Sequence, residues 1–457
     1  MAGKGIEIGS RRELLIDDFL IERMDGMELK LQKPVPREVA IVYDAPWEGN
    51  TCCYQTVFQD GDLYRMYYRG SHFDEDTETV AHPEVVCYAE SRDGIHWEKP
   101  ALGIVEFAGS KENNIVWDGY GSHNFTPFRD ENPDCRKGEE YKALAGNREE
   151  GLRAFRSSDG VHWELMRDEA VITEGAFDSQ NLAFWDEVRG RYVDFHRHFQ
   201  KVDGKGVRRI MTCTSDDFLN WTDPVWVEFP DAPLEQLYTN AVTAYFRAPH
   251  IFMGFPKRFV PERSMEYHKH NGMSDAVFMT SRDGVHFKRW GEAFIRPGLQ
   301  PERWVNRNNM TAWGIVQTAA FLDNAPDELS IYTTEHYYRG EACKLRRFTV
   351  RPDGFVAANA PLSGGELVTR PLVFDGKKLV INYSTSVAGS VRVELQDVEG
   401  QPIEGFSLEE SEEIYGDEIE RVINWGGVSD VAKLVGDPVR LRFVLKDADL
   451  FALRFSW

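Results

Sequence analysis

The sequence predicts an all-β protein in which a five-bladed β-propeller precedes a β-sandwich. A turn motif begins at Ser91, Ser157 and Ser281. It consists of Ser-x-Asp-Gly with an aromatic residue six positions after the serine. A variant with Phe218 in the glycine position begins at Ser215. The spacing of about 60 to 70 residues suits a four-stranded blade with surface loops. Runs of aromatic and β-branched residues between the turns are typical of strands. The repeated turn predicts the blades, with Asp-Gly closing the hairpin between the third and outermost strands.

The same pattern predicts the domain boundaries. We expect the propeller domain to cover residues 1–358, with residues 1–44 as an N-terminal segment that closes the ring. After about residue 362, segments such as "GSVRVELQDVEGQPIEGF" alternate apolar and polar residues between Gly and Asp turns. This alternation indicates an antiparallel β-sandwich over residues 359–457.

Composition excludes several classes of function. The net charge of −22 argues against a nucleic-acid partner, which needs a basic surface. No apolar run approaches the roughly 18 residues that cross a bilayer, and the first ten residues lack the apolar segment of a secretory signal. We therefore expect no membrane partner and a cytoplasmic protein, or an exported one whose signal has been removed. The six cysteines contain no C-x-x-C pair, so we expect buried thiols, no metal site and no cofactor.

A propeller blade has a geometry that predicts where ligands bind. The first and second strands are antiparallel, so the start of each first strand and the end of each second strand lie at the same mouth of the central channel. Polar and charged residues gather at these positions. The opposite strand ends carry ordinary turn sequences, such as "QDGD" from Gln59. We therefore expect the functional site at the polar mouth.

The candidate catalytic residues are Asp178, Glu335 and Glu48, which we expect to face one pocket as acid, base or nucleophile. Glycoside cleavage uses one carboxylic acid to protonate the leaving oxygen, and a second carboxylate to activate water or attack carbon. Amides and guanidinium groups would hold sugar hydroxyls or a uronate, and an indole would stack on a sugar ring. The candidate substrate-binding residues are Trp47, Arg69, His123, Asn124, Gln180, Asn181, His196, Arg197, Glu235, Tyr238, Asn240, Asn309 and His336.

The turns at Ser91, Ser157 and Ser281, together with "FDSQNLAFWD" from Phe177, resemble the glycoside hydrolase clan of invertase, levansucrase and arabinanase, families 32 and 43. The resemblance covers nearly the whole chain and implies a five-bladed propeller, a C-terminal sandwich and a carbohydrate substrate. The invertase signature W-M-N-D-P-N-G is absent. Arg129-Asp130 ends a strand, whereas the R-D-P motif of the invertase-like fold begins one. Fructosidase activity is therefore not implied.

Three functions follow from this reading. The leading one is a glycoside hydrolase. In a glycoside phosphorylase, phosphate would replace water, and Lys257, Arg258 and Arg197 would bind it. A non-catalytic glycan-binding propeller would show aromatic platforms without opposed carboxylates. The sugar, the linkage, the stereochemical outcome and the oligomeric state have no signal in the sequence.

Overall fold

The computed structural model describes residues 5–74, 76–265 and 272–457, which divide into two compact units. The larger unit contains the described residues of 34–245 and 249–350, and the smaller contains those of 5–33, 246–248 and 351–457. The helices in this part of the chain are two short 3₁₀ turns, Pro301–Arg303 and Ala432–Leu434. The predicted all-β class is therefore confirmed. No helix among these residues is long and apolar enough to cross a membrane.

The larger unit contains five four-stranded sheets within the described residues, one for each predicted blade. Sheet one contains Cys53–Asp60, Leu63–Gly70, Val85–Ser91 and Ile115–Trp117, and sheet two contains Thr126–Arg129, Tyr141–Asn147, Gly151–Ser157 and Glu164–Leu165. Sheet three contains Leu182–Asp186, Arg191–Val202, Lys205–Ser215 and Val225–Trp226. Sheet four contains Thr243–Tyr245, Ala248–Gly254, Met279–Ser281 and Phe287–Arg289. Sheet five contains Val316–Thr318, Glu328–Glu335, Lys344–Val350 and Val35–Val42. Two smaller sheets contain Gln236–Leu237, Lys257–Val260 and Met273–Ala276, and Phe73–Asp74 and Thr79–Val80.

The N-terminal segment divides between the two units. Its strand Val35–Val42 pairs antiparallel with Lys344–Val350, so a strand from the start of the chain completes the last sheet. The described residues 5–33, which we expected in the propeller domain, belong instead to the smaller unit. There, Ile21–Asp25 pairs with Gly365–Thr369. The alternating pattern of these residues fits any half-buried sheet, so the sequence does not reveal the pairing partner.

The repeated motif forms the same turn four times, directly after the third strand of a sheet. In each copy the Asp side chain accepts hydrogen bonds from the backbone N–H groups two and three residues later, and the Ser hydroxyl accepts one from the fourth motif residue. That fourth residue has positive φ, including Phe218 at 67°. Trp163 packs on Tyr67 of the preceding sheet at 6.1 Å between ring centroids. The motif therefore builds the predicted turns, and its aromatic residue Trp163 also contacts the preceding sheet.

The smaller unit is also a β structure. Its strands are Ile6–Gly9, Glu13–Leu14, Ile21–Asp25, Glu28–Leu31, Val356–Ala360, Gly365–Thr369, Leu372–Phe374, Lys378–Gln396, Asp417–Val422 and Arg440–Ser456. Lys378–Gln396 and Arg440–Ser456 pair along most of their length, with a register shift between Thr385 and Ser390. Trp425, Phe443 and Leu453 are fully buried in the core of the unit. The unit is built of strands as predicted, and the packing of its sheets as a sandwich stays a prediction.

Candidate functional site

Four cationic side chains surround the ring of Tyr238 in the larger unit. Lys257 Nζ lies 3.9 Å from the ring centroid, and the guanidinium carbon of Arg197 lies 4.7 Å away. The corresponding distances for Arg208 and Arg307 are 5.7 and 5.9 Å. We call these five residues the central cluster. In a chain with a net charge of −22, it is a local concentration of positive charge.

Neighbouring strands bring the central cluster together. Arg197 lies in Arg191–Val202 and Arg208 in Lys205–Ser215, and these two strands form a hairpin in which Arg208 is opposite Phe199. Lys257 begins a short strand that pairs with the strand preceding Tyr238. Two separate sheets therefore position Arg197, Arg208 and Lys257.

The positive charge of the cluster is poorly balanced by protein groups. Lys257 Nζ donates to the Asn306 side chain at 3.0 Å, and Arg208 to the Gln236 side chain at 3.0 Å. Within the described residues, no carboxylate contacts Arg208, Lys257 or Arg307. Burial together with the charges of Arg307 and Arg208 lowers the pKa of Lys257 well below its usual value. An anionic ligand would supply the missing negative charge.

Several donors of the cluster are also free to bind a ligand. The Nε atoms of Arg197, Arg208 and Arg307 are buried and have no hydrogen-bond partner among the residues that the structure describes. Burial raises the pKa of Tyr238, but the charges of Arg307 and Arg197 outweigh this effect and lower it overall. The neighbouring Tyr54 hydroxyl lies 3.4 Å from that of Tyr238. The site therefore combines unpaired cationic donors with an acidic phenol.

Asp178 is the carboxylate that contacts the central cluster, through Arg197, among the described residues. Its Oδ1 atom accepts a hydrogen bond from Arg197, and 61% of its side chain is exposed. It follows Phe177, which has a φ of 22°, at the turn that leads into Leu182–Asp186. The turn therefore presents Asp178 outward, where a ligand can reach it.

A second ionic group lies beside the cluster. His123 Nδ1 lies 2.8 Å from Glu84 Oε2 and 3.1 Å from Arg69 Nη1. Burial alone would raise the pKa of Glu84, but the His123 hydrogen bond and the Arg69 charge lower it to about 2. Burial and the Arg69 charge lower the pKa of His123. Glu84 is therefore ionised and His123 neutral near pH 7.

Tyr54 connects this group with the central cluster. Its ring lies 5.1 Å from the guanidinium carbon of Arg69, and its hydroxyl donates to the backbone carbonyl of Asp178 at 3.3 Å. The structure thus brings together five of the residues that the blade geometry predicted: Asp178, Arg197, Tyr238, His123 and Arg69.

Two predicted catalytic carboxylates have other surroundings. Glu48 is fully buried and accepts hydrogen bonds from Tyr68 at 2.5 Å and Lys99 at 2.6 Å. Glu335 is also fully buried, with its Oε1 atom 2.7 Å from Arg346 Nε and 3.4 Å from Arg303 Nε. Neither carboxylate contacts the central cluster in the described part of the chain. Their contacts are those of buried ion pairs, and a catalytic role for either remains a prediction.

The predicted amide ligands bind the protein backbone. Each of the five is buried, and its side-chain N–H group donates to a main-chain carbonyl: Asn124 to Gly146, Gln180 to Gln55, Asn181 to Ser179, Asn240 to Phe195 and Asn309 to Ser274, all at 2.9 to 3.0 Å. These amides satisfy buried main-chain carbonyls, because backbone groups in irregular buried segments need such partners.

The remaining predicted residues also have protein partners. Trp47 donates to Asn114 at 2.6 Å. Glu235 pairs with Arg289 at 2.5 Å and with Arg258 at 3.1 Å, so Arg258 is neutralised outside the cluster. His336 has a φ of 61° just after the strand Glu328–Glu335. None of these contacts joins the central cluster.

His196 belongs to a separate buried group. Its Nδ1 atom is hydrogen-bonded to Asp194 Oδ1, and Cys213 Sγ lies 3.6 Å from the same oxygen. The three side chains are buried, and their potential ligand atoms all lie within 4.8 Å of one another. The sequence predicted His196 as a sugar ligand and gave no signal for this group, since its cysteine is 17 residues away in the next strand.

The sequence prediction missed Glu84, Arg208, Tyr54 and Tyr337 at the site. Glu84 directly precedes the third strand of sheet one, and Arg208 lies near the start of the third strand of sheet three. The third strand runs parallel to the first, so its start lies at the same mouth, and extending the geometric rule to third strands would have found both. Tyr337, which accepts hydrogen bonds from Arg69 and Arg307, lies two residues beyond the second strand of sheet five.

Comparisons with known proteins give distant relatives. No protein-family model matches the chain. A stretch of 133 residues is 31% identical to the uncharacterized protein Rv1502 of Mycobacterium tuberculosis, covering 29% of this chain and 40% of that protein. A second uncharacterized protein of that species is 30% identical over 133 residues, with the same coverage. The chain thus matches less than half the length of these curated relatives.

Among solved structures, the chain is similar to glycan-related proteins. It is 14% identical to BT0996 in a complex with RGII, covering 71% of this chain and 93% of that protein, with a TM-score of 0.47. The Bombyx mori β-fructofuranosidase of glycoside hydrolase family 32 is 10% identical; the match covers 92% of this chain and 94% of that one, with a TM-score of 0.45. A structure from the GH130 family of mannoside phosphorylases, described as containing glycoside hydrolases that target β-1,2 mannosidic linkages, is 16% identical; the match covers 77% of this chain and 99% of that one, with a TM-score of 0.41. Likenesses at these values assign no activity to this chain.

Proposed function

We propose that this protein cleaves a glycosidic bond in a carbohydrate substrate, with inorganic phosphate as the attacking group. The observation that carries the proposal is the central cluster, where Arg197, Arg208, Lys257 and Arg307 surround Tyr238 and a single carboxylate contacts them among the described residues. Hydrolysis needs one carboxylic acid and a second carboxylate. Phosphorolysis needs one acid and a cationic site for phosphate, and the cluster has this composition.

The proposed reaction uses Asp178 as the acid. A phosphate oxygen bonds to the anomeric carbon while that carbon's bond to the leaving oxygen breaks, and the leaving oxygen takes its proton from Asp178. Phosphate would compete with Asp178 for Arg197, and its negative charge would raise the pKa of the carboxyl group. Phosphate binding would thus favour the protonated form of Asp178 that the step requires.

A second candidate is hydrolysis of a glycan that carries a uronate. In this reaction the uronate, not phosphate, would bind the cations of the central cluster. Glu84 favours this alternative, because it is an ionised carboxylate close to the cluster and could serve as the base that activates water. Its contacts with His123 and Arg69 hold it in place.

The test compares both directions of the reaction. For the synthetic direction, a panel of sugar 1-phosphates is incubated with monosaccharide acceptors, and phosphate release is measured. For the cleavage direction, oligosaccharides are incubated with and without phosphate, and the products are identified by mass spectrometry. Sugar phosphate formed only when phosphate is present supports the proposal. Free sugar released equally without phosphate would replace it with hydrolysis. Oligosaccharide binding with neither synthesis nor cleavage would show that the protein is a glycan-binding module and not an enzyme of this class.

Two arginine substitutions provide a matched comparison. Arg208→Gln removes a cluster cation that no described carboxylate contacts, and we expect the KM for phosphate to rise about 10- to 100-fold, which is the usual value of a hydrogen bond to a charged group. Arg258→Gln removes a cation that Glu235 and Asp275 neutralise, and we expect the KM to stay within about twofold. Equal effects of the two changes on KM would contradict phosphate binding at the cluster.

A further inference from the structure

The buried group of Asp194, His196 and Cys213 lies on two adjacent strands of sheet three. Asp194 and His196 are two residues apart in Arg191–Val202, so their side chains project from the same face. Cys213 is directly opposite Asp194 in the partner strand. Asp194 and His196 are 0% exposed and Cys213 is 3% exposed. The pairing register therefore brings a carboxylate, an imidazole and a thiol together inside the protein.

Two polar atoms of this group lack any partner. Asp194 Oδ2 and His196 Nε2 are buried without a hydrogen bond to any described residue, although such atoms are normally satisfied in folded proteins. Within the described residues, no arginine or lysine contacts the Asp194 carboxylate. A cation bound among the three side chains would give these buried polar atoms a partner.

We propose that Asp194, His196 and Cys213 bind a zinc ion. Zinc prefers nitrogen, sulfur and carboxylate ligands, which is the donor set here, whereas calcium and magnesium prefer oxygen alone. An ionised carboxylate, a thiolate and a neutral imidazole together carry two negative charges, so a divalent cation makes the buried group neutral. The unpartnered Oδ2 atom of Asp194 is available as an additional ligand atom. Binding releases the protons of the coordinating groups.

The zinc would have a structural role. Arg197 follows His196 in the strand and contacts Asp178 and Tyr238, whereas His196 contacts Asp194 and Phe177. Neighbouring residues in a strand project to opposite faces, so the ion would lie behind the strand that presents Arg197 to the central cluster. It would tie Arg191–Val202 to Lys205–Ser215, the two strands that carry Arg197 and Arg208.

The test is the metal content of the whole chain, produced with zinc in the medium and purified without a metal-affinity step. After dialysis, we expect about one zinc per chain by elemental analysis. Removing the metal with a strong chelator should lower Tm, and zinc should restore it. Cobalt added to the metal-free protein should give a thiolate-to-cobalt absorption band in the near ultraviolet. Zinc below about 0.1 per chain, with no cobalt band and no change in Tm on adding zinc, would overturn the proposal.

Cysteine substitutions provide the control. Cys213→Ser should reduce the zinc content to below about 0.1 per chain, because the hydroxyl is a poor zinc ligand. Cys87→Ser also places a hydroxyl at a fully buried thiol position, outside the group, and should keep the metal. If Cys213→Ser does not fold, the cobalt band of the wild-type protein still decides whether a thiolate binds the ion. Equal metal content in the two folded variants would also overturn the proposal.

Discussion

Two carboxylate–arginine pairs of the larger unit differ in what surrounds them. Asp178 pairs with Arg197, yet 61% of the Asp178 side chain is exposed. Glu335 pairs with Arg346 and Arg303, and its side chain is completely buried. Both acids were predicted from the same geometry of strand ends. The first pair can open to admit a ligand, whereas the second can open only if the surrounding structure moves.

An ion pair with arginine therefore does not by itself distinguish a structural carboxylate from a functional one. A buried carboxylate whose neighbours are guanidinium groups costs stability when either partner is removed. An exposed carboxylate costs less to remove, because solvent screens its ion pair, even where its partner is buried as Arg197 is. Substitutions at the two sites should therefore change different properties of the protein.

The largest effect is expected for Asp178→Asn. This substitution keeps the shape of the side chain but removes the proton that the leaving group needs. On the substrate identified by the test above, we expect kcat to fall by a factor of about 10² to 10⁴, the usual contribution of general acid catalysis. Tm should fall less than it does for Glu335→Gln, because 61% of the Asp178 side chain is exposed and solvent screens its ion pair. A variant that loses stability but turns over at the wild-type rate would show that Asp178 only caps its turn.

Glu335→Gln should have the opposite effects: a loss of stability with kcat nearly unchanged. The amide keeps the volume of the side chain but leaves Arg346 and Arg303 without a counter-charge, and breaking a buried ion pair in this way costs about 3 kcal/mol or more. We expect the free energy of unfolding in urea to fall by that amount, with kcat per folded molecule within about twofold of wild type. A large loss of kcat with unchanged stability would restore Glu335 as a catalytic residue and weaken the comparison.

The sequence predicted the fold more completely than the site. The four turns encode their own hydrogen bonds within a few residues, so Asp159 and Gly160 identify a turn without knowledge of the rest of the chain. The partner of a strand-end acid is not local. Arg346 lies eleven residues beyond Glu335, in the next strand, and its contact depends on the pairing register. Asp178 and Glu335 could not be distinguished without that register.

A turn acid should have a smaller effect than either pair. Asp159 accepts hydrogen bonds from the N–H groups of Val161 and His162, both at 2.9 Å. Asp159→Ala removes these acceptors, and we expect about 1 kcal/mol lower stability in urea unfolding, with kcat unchanged. Asp283→Ala, in the equivalent turn of sheet four, is the matched variant and should behave alike. A loss of activity in only one of the two would indicate a role beyond the turn.

The smallest effect concerns the pH dependence of stability near the central cluster. Burial and the charge of Arg69 lower the pKa of His123 from its usual value of 6.5, despite the opposing influence of Glu84. Just below pH 6.5 the folded state therefore binds fewer protons than the unfolded state, so the free energy of unfolding falls as the pH decreases through this window. Since 37% of the His123 side chain is exposed, solvent screening keeps this contribution below about 1 kcal/mol.

His123→Gln should remove this contribution. Unfolding in urea at pH 7.5 and at about pH 5.5 gives the difference in free energy for each protein, and we expect a smaller difference in the variant than in wild type. Glu84→Gln removes the charge that supports protonated His123, so the pKa of His123 should fall further and the wild-type difference should grow. If His123→Gln leaves the difference unchanged, His123 is equally protonated in the folded and unfolded states. The cations beside it would then be too well screened to act on a neighbouring side chain.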